Sequence, residues 1–187
     1  MKQNIFPAIK LTAICLILFV GIYTLIIYSI AQLAPNKGEG EIVNIHNKKV
    51  GYKLEGQKFN EDKYMWGRPS AVDYNATTSS GSNKGPSNPT YLQDIRTRID
   101  NFLVHNPSIK KELIPSDIVT ASGSGLDPDI SLEAAVVQIN RIASIRKIST
   151  KKINALIAQK IEKPFLGFGG PAKINVLKFN IELDKIK

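Results

Sequence analysis

The chain is poor in the side chains that build metal clusters and crosslinks: one cysteine, two histidines and one tryptophan occur among 187 residues. A single thiol excludes a disulfide framework or a cysteine-rich zinc module, and His46 and His105 stand alone in the sequence. No GxxxxGK[ST] run supplies a phosphate cradle; Gly81 to Gly85 (GSNKG) has the lysine but neither the spacing nor a following helix start. The GxSxG pattern is absent as well, because the position two before Ser124 is Ser122. Asp127 and Asp129 flank Pro128 without the other oxygen ligands of a calcium loop, so they are expected to cap a helix opening at Ser131. No concentrated basic-aromatic motif points to nucleic acid. These absences argue against autonomous ATP hydrolysis, metal catalysis and nucleic-acid binding.

What is present is a sharply divided composition. Residues 11–34 read LTAICLILFVGIYTLIIYSIAQLA, 24 positions without a charge. At about 1.5 Å per residue such a run covers a ~30 Å hydrocarbon layer. It exceeds the ~7 to 15-residue apolar core of a signal peptide and reads as an uncleaved transmembrane anchor, with Leu11, Phe19, Tyr23 and Leu33 spread along it. Lys2 and Lys10 bias the N-terminus inward. Residues 1–10 are then a short cytoplasmic segment, and everything after Ala34 lies outside the cytoplasm. Cys15 falls within the span, which leaves the outer part without a thiol to oxidise. The 153 residues after Ala34 carry 23 Lys+Arg against 16 Asp+Glu, a net +7.

Residues 35–41, rich in Pro, Gly and charge, form a linker, and residues 42–187 form one soluble α+β domain, with strands near both ends and helices in the middle. Ile42 to Leu54 alternates as two short strands around an Asn47-Lys48 turn, and Phe59 to Trp66 supplies aromatic core candidates. From Arg68 to Pro89 about twenty residues of Gly, Pro, Ser and Asn replace nearly all large apolar side chains, a length that points to a fixed functional loop or a flexible one. Thr90 and Gln93 resemble a capping pair before an amphipathic helix over Tyr91–Val104. Asp117 starts a strand-like run that passes into a Gly/Ser turn. Ser131 caps a second helix whose stripe runs through Leu132, Ala135, Ile139 and Ile142, with Gln138, Arg141 and Arg146 facing elsewhere. A third helix starts at Ser149 or Thr150, Pro164 ends it, and the turn FLGFGGP leads to KINVLKFNIELD, whose shifted alternation predicts a strand with a bulge or one buried on both faces.

Several of these motifs, in order and over essentially the whole chain, resemble the C subunit of the Kdp-type potassium-transporting ATPase. The resemblance lies in the single anchor, RPSAVDYN at Arg68 to Asn75, SGSNKGPSNP at Ser80 to Pro89, and PSDIVTASGSGLDPDIS at Pro115 to Ser131. AAVVQINRIASIR at Ala134 to Arg146 and NVLKFNIELD at Asn175 to Asp184 complete it. Two positions depart from the family pattern: Ser80, where a second Gly is common, and Asp129, often His. The resemblance implies a subunit without hydrolytic activity that stabilises a high-affinity potassium import complex and acts as a catalytic chaperone raising the ATP affinity of the P-type subunit. Its partners would be a potassium-channel-like subunit, the P-type ATPase subunit and a small accessory membrane peptide. No cofactor is then bound stably, no residue is catalytic or metal-binding, and ATP is engaged through the ATPase subunit. The residues expected to form the polar framework or partner surface are Arg68, Ser70, Asn75, Ser82, Asn83, Asn88, Ser122, Ser124, Asp127, Gln138 and Arg141. Two readings of other classes stand beside it: a membrane-anchored extracytoplasmic serine hydrolase using Ser122 or Ser124 with a Lys base, and a cytoplasmic-facing nucleotide-binding module.

Overall fold

A computed structural model describes residues 4–164 and 170–186. The chain divides into two compact units, Met1–Ile42 and Val43–Lys187. The first is dominated by one helix, Ile5–Leu33, apolar and long enough to cross a membrane. It comprises α1 (Ile5–Cys15), a wider π-type stretch Leu16–Ile22, and α2 (Tyr23–Leu33). The helix opens before the charge-free run because charge delimits the hydrocarbon, not the hydrogen bonding; Pro7 sits in the first turn, where its missing N–H has no partner to lose. Leu11, Phe19, Tyr23 and Leu33 are all exposed along it. Ala34 turns to extended backbone (ψ 155°) ahead of Pro35, the conformation favoured before proline, and ends the helix.

A hairpin of β1 (Ile42–Ile45) and β2 (Lys48–Tyr52) follows, all but Ile42 in the second unit. Its turn is His46-Asn47, one residue earlier than Asn47-Lys48, because two successive left-handed residues (φ 48° and 62°) match the twist of a two-residue hairpin. Helix α3 (Pro89–His105) also begins ahead of the predicted Thr90-Gln93 pair: the Asn88 Oδ1 accepts the Tyr91 N–H at 3.1 Å, and Pro89 fills the first helical position. Asp117 lies in a tight turn, Ser116–Ile118, and the strand follows later as β3 (Asp129–Ser131).

Ser131 does cap a helix, its Oγ accepting the Ala134 N–H at 3.0 Å, but the carboxylate that holds Ser131 in place is Asp117, which accepts from its N–H (2.7 Å) and hydroxyl (3.2 Å). Asp127 and Asp129 are taken by Arg68 and Lys173 instead. The helix breaks after one turn into α4 (Leu132–Val136) and α5 (Ile139–Arg146), followed by α6 (Thr150–Lys160) with Ser149 as its cap, then β4 (Ile161–Glu162) and β5 (Lys173–Asn175). Residues 165–169 of the predicted FLGFGGP turn lie outside the described residues. The C-terminal run is not a bulged strand. After three residues of β5, Asn175 caps α7 (Val176–Leu183) by accepting the Lys178 N–H at 3.0 Å. The shift in alternation is the change from period two to helical spacing, with Val176, Phe179, Asn180 and Leu183 buried on one face.

Strands β3, β5 and β4 form one antiparallel sheet in that order, placing Ile130 and Ile161 opposite Ile174. Against it pack Ile142, Ile153, Phe179 and Leu183, all fully buried, with Met65 and Phe102 closing the core. This is an α+β domain whose long stretch between β2 and α3 has only one short regular turn, Ala76–Thr78, so its backbone must find partners elsewhere.

Candidate functional site

Those partners are side chains. Met65 is held at both its N–H and its carbonyl by the Asn180 amide, at 2.8 and 2.9 Å, and Trp66 is held the same way by Gln138, at 2.8 and 3.2 Å. Each amide replaces a neighbouring strand. Gln138 uses its full capacity, since its Nε2 also donates to the Ala134 carbonyl (2.9 Å) and its Oε1 also accepts from Arg141 Nη2 (2.6 Å). The helix break between α4 and α5 follows: the Gln138 N–H bonds one residue short, to Ala135, and its side chain takes the Ala134 carbonyl that a regular turn would have used.

Arg141 donates to the Asp62 and Tyr64 carbonyls and to Asn106 Oδ1 (3.1 Å), and its guanidinium lies 4.2 Å from the Trp66 ring centre. Arg146 donates to the Lys63 carbonyl at 2.6 Å. The residues expected to face away from the apolar stripe therefore point inward, with Gln138 at 0% and Arg141 at 6% exposure. They turn inward because the turn over residues 61–64 and the irregular stretch that follows it leave carbonyls that no helix or strand pairs, and long donors reach them. Burial pulls the Arg141 pKa down to about 10, with Asp62 opposing, and the group stays cationic at neutral pH.

Immediately after Trp66 the chain enters the first Gly/Ser loop, which is docked onto the second. Ser122 N–H donates to the Pro69 carbonyl (3.1 Å), Ser79 Oγ to the Ser124 carbonyl (3.0 Å), and Gly56 N–H to the Leu126 carbonyl (2.7 Å). Arg68 pairs with Asp127 at 2.9 Å. Two glycines permit this contact. Gly125 has φ +69°, and a Cβ there would lie 2.6 Å from Val72 Cγ2 and 2.8 Å from the Ser80 carbonyl; a Cβ on Gly56 would lie 2.5 Å from the Asp127 carbonyl. Within the first loop Ser70 Oγ accepts from the Val72 and Tyr74 amides, and the Tyr74 hydroxyl donates to the Arg68 carbonyl at 2.6 Å. Burial, then Asp73, push the Tyr74 pKa up to about 12.

The structure thus brings Arg68, Ser70, Ser122, Ser124 and Asp127 into one loop pair and sets Gln138 and Arg141 beneath it around Trp66. Asn75 and Asn88 spend their side chains on local turns, accepting from Thr77 and Tyr91. Ser82 is half-buried, and Asn83 is exposed with φ 52°. Asn106, Asn175, Asn180 and Tyr74 were not expected in the framework; their signal was an amide or hydroxyl interrupting an otherwise apolar or Gly/Ser-rich stretch. Ser122 is not presented as a nucleophile, being 2% exposed; Ser124 is exposed, its Oγ accepting the Leu126 N–H at 3.1 Å as a turn contact. Among the described residues no three metal-ligating side chains converge.

Comparison with known proteins places this geometry. A family model described as the K+-transporting ATPase c chain, KdpC, matches residues 5–185. The chain is 54% identical over 185 residues to a potassium-transporting ATPase KdpC subunit of Flavobacterium psychrophilum, covering 99% of this chain and 100% of that one. It is 44% identical over 188 residues to the subunit of Bacteroides fragilis (99% and 98% covered) and 41% identical over 184 to that of Caldanaerobacter subterraneus (98% and 95%).

Proposed function

The chain belongs to the KdpC family, the c chain of potassium-transporting ATPases, and from that premise we propose that it is a non-catalytic accessory subunit of a potassium import complex, anchored by Ile5–Leu33 with its α+β domain outside the cytoplasm. The domain holds its sister chains, a channel-like subunit, a P-type ATPase subunit and a small membrane peptide, through the docked loop pair. The observation that carries this reading is the mutual locking of the two loops. A surface whose backbone is fixed by Gly125, Gly56 and the Arg68–Asp127 pair loses little conformational entropy on docking, which is where polar interfaces otherwise forfeit affinity. Exposed Asn83, Thr77 and Thr78 then offer hydrogen-bonding groups at the rim.

Any rise in ATP affinity of the P-type subunit is coupling through the assembly: the bound chain favours the state that binds ATP, and reciprocally ATP tightens the assembly. The test is protease access in intact cells combined with purification through a tag on this chain. The reading requires cleavage of the domain from outside and co-elution of both larger subunits. A domain cut only after lysis, or a chain that elutes alone from potassium-starved cells, overturns it. For the ATP effect, complexes lacking the chain should need more ATP for phosphorylation of the P-type subunit, while a photoreactive ATP analogue leaves this chain unlabelled.

A further inference from the structure

Beside the loop pair lies a cleft of about 620 Å³ between residues 58–74 and α3, whose lining shares Trp66, Pro69, Ser70 and Tyr74 with the contacts above and adds Lys58, Phe59, Arg98 and Phe102. Its wall is aromatic: Phe59, Trp66 and Phe102, with Trp66 set edge-on to Phe102 and to His105, at 6.4 and 5.0 Å between ring centres. Its charges are unbalanced, with Lys58 and Arg98 as cations and Asp73 as the one carboxylate lining it. Arg98 commits Nη1 to the Val119 carbonyl at 3.1 Å, one of the five N–H donors of a guanidinium. Lys58 is held by Asp73 at 2.6 Å, but both side chains are at least half exposed, so this is a solvent-weakened pair at the mouth that an incoming carboxylate can replace.

We propose that this cleft receives an acidic, extended segment of a sister subunit, a carboxylate pairing with Arg98 and Lys58 while an apolar side chain lies on Trp66. The occupant follows from charge complementarity: on the lining Lys58 and Arg98 outnumber Asp73 by one charge, within a stretch after Ala34 that is net +7 overall, and a cleft of that sign with an aromatic wall recognises an Asp- or Glu-bearing strand. The proposal rests on the accessory-subunit reading and adds a second contact to the loop pair.

Trp66 is the sole tryptophan of the chain and lines the cleft, so its emission reports occupancy directly. The full chain in neutral detergent micelles is titrated with oligoglutamate, with oligolysine and with phosphatidylglycerol. Expected are a saturable change with oligoglutamate and none with oligolysine. Arg98→Glu and, as a variant on an exposed side chain, Lys58→Glu should each weaken the response about tenfold or more, while Arg96→Glu, on the same helix but outside the cleft, leaves it intact. A response to phosphatidylglycerol without one to oligoglutamate identifies a lipid headgroup and overturns the proposal. In the co-purified complex, Lys58→Glu should release the sister chains at lower salt than wild type. Unchanged retention in that variant, with loss of partners in Gly125→Ala, refutes the cleft and leaves the accessory reading standing; failure of the wild-type chain to retain partners refutes both.

Discussion

Replacing Gln138 by methionine tests whether amides substitute for a missing strand. Methionine matches the length and most of the volume, so the expected loss is electrostatic and not a cavity. Four groups lose their partner in an interior where Gln138 itself has no exposure: the Trp66 N–H, the Trp66 carbonyl, the Ala134 carbonyl and one Arg141 N–H. Each unsatisfied buried group costs about 1–3 kcal/mol, but the two carbonyls can tilt toward Arg141, which only donates, and recover part of it, giving about 3–5 kcal/mol in total. For a domain of this size that is a drop of about 10–20 °C in Tm. The assay is thermal and urea unfolding of the full chain in detergent, read by Trp66 emission. Gln138→Glu is the informative companion, because it keeps the acceptor for Trp66 and Arg141 and loses only the two Nε2 donations. A Gln138→Met midpoint within about 1 kcal/mol of wild type would mean the Trp66 backbone is held by packing alone.

Three further outcomes follow from single contacts. Tyr74 has a folded pKa of about 12, above the ~10 of an unfolded tyrosine, so the stability it contributes is whole below pH ~10 and is lost as pH rises through about 12, at ~1.4 kcal/mol per unit. Tyr74→Phe should cost ~1 kcal/mol at neutral pH for the lost hydrogen bond to the Arg68 carbonyl, and in stepwise urea melts that gap should close near pH ~11 and reverse by pH ~12, the variant then being the more stable; parallel curves would refute the shift. Gly125→Ala places a Cβ into Val72 and the Ser80 carbonyl at φ +69°, and should cost ~2–4 kcal/mol while making the first loop the earliest site of limited proteolysis. Asn175→Ala removes both the α7 cap and the donor to the Lys53 carbonyl (2.8 Å) from a residue only 4% exposed, an expected ~2–3 kcal/mol, whereas Asn175→Asp should retain the cap in a helix-content measurement.

The long apolar helix, α3, the start of α6 and the Ser131 cap were legible because each is a local pattern: a charge-free run, a 3.6-residue stripe, a hydroxyl before an apolar turn; α6 ends at Lys160, ahead of Pro164, because Ile161 and Glu162 join the sheet. α7 was misread because Asn175 and Asn180 interrupt the apolar run in a way that alternation with a bulge also explains; only their partners, Lys178 N–H and Met65, decide between the two. Gln138 and Arg141 could be picked out as polar residues on a helix but not placed, since their direction depends on carbonyls about 70 to 80 positions away in sequence. The loop pair was visible as two Gly/Ser stretches. Their docking was not, because a glycine required by a neighbour's carbonyl and a glycine in a flexible turn are the same letter.

A polar docking surface of this kind needs help, because rim hydrogen bonds exchange for water at little net gain. The membrane anchor supplies it. Joining a weak contact to a partner sharing the same bilayer would make docking effectively intramolecular, at an effective concentration in the millimolar range for a short linker, the role expected of residues 35–41. The second unit does not depend on the apolar helix for its core, whose buried cluster runs from Met65 to Leu183. A chain starting after Ala34 should therefore keep the Tm of the full-length protein yet bind the remaining subunits about 10²-fold more weakly, and added in excess it should restore potassium-stimulated ATPase activity. Equal affinity with and without the anchor would place all the binding energy in the domain. A truncated chain that folds but fails to restore activity at any concentration would instead make the helix itself the element that the pump requires.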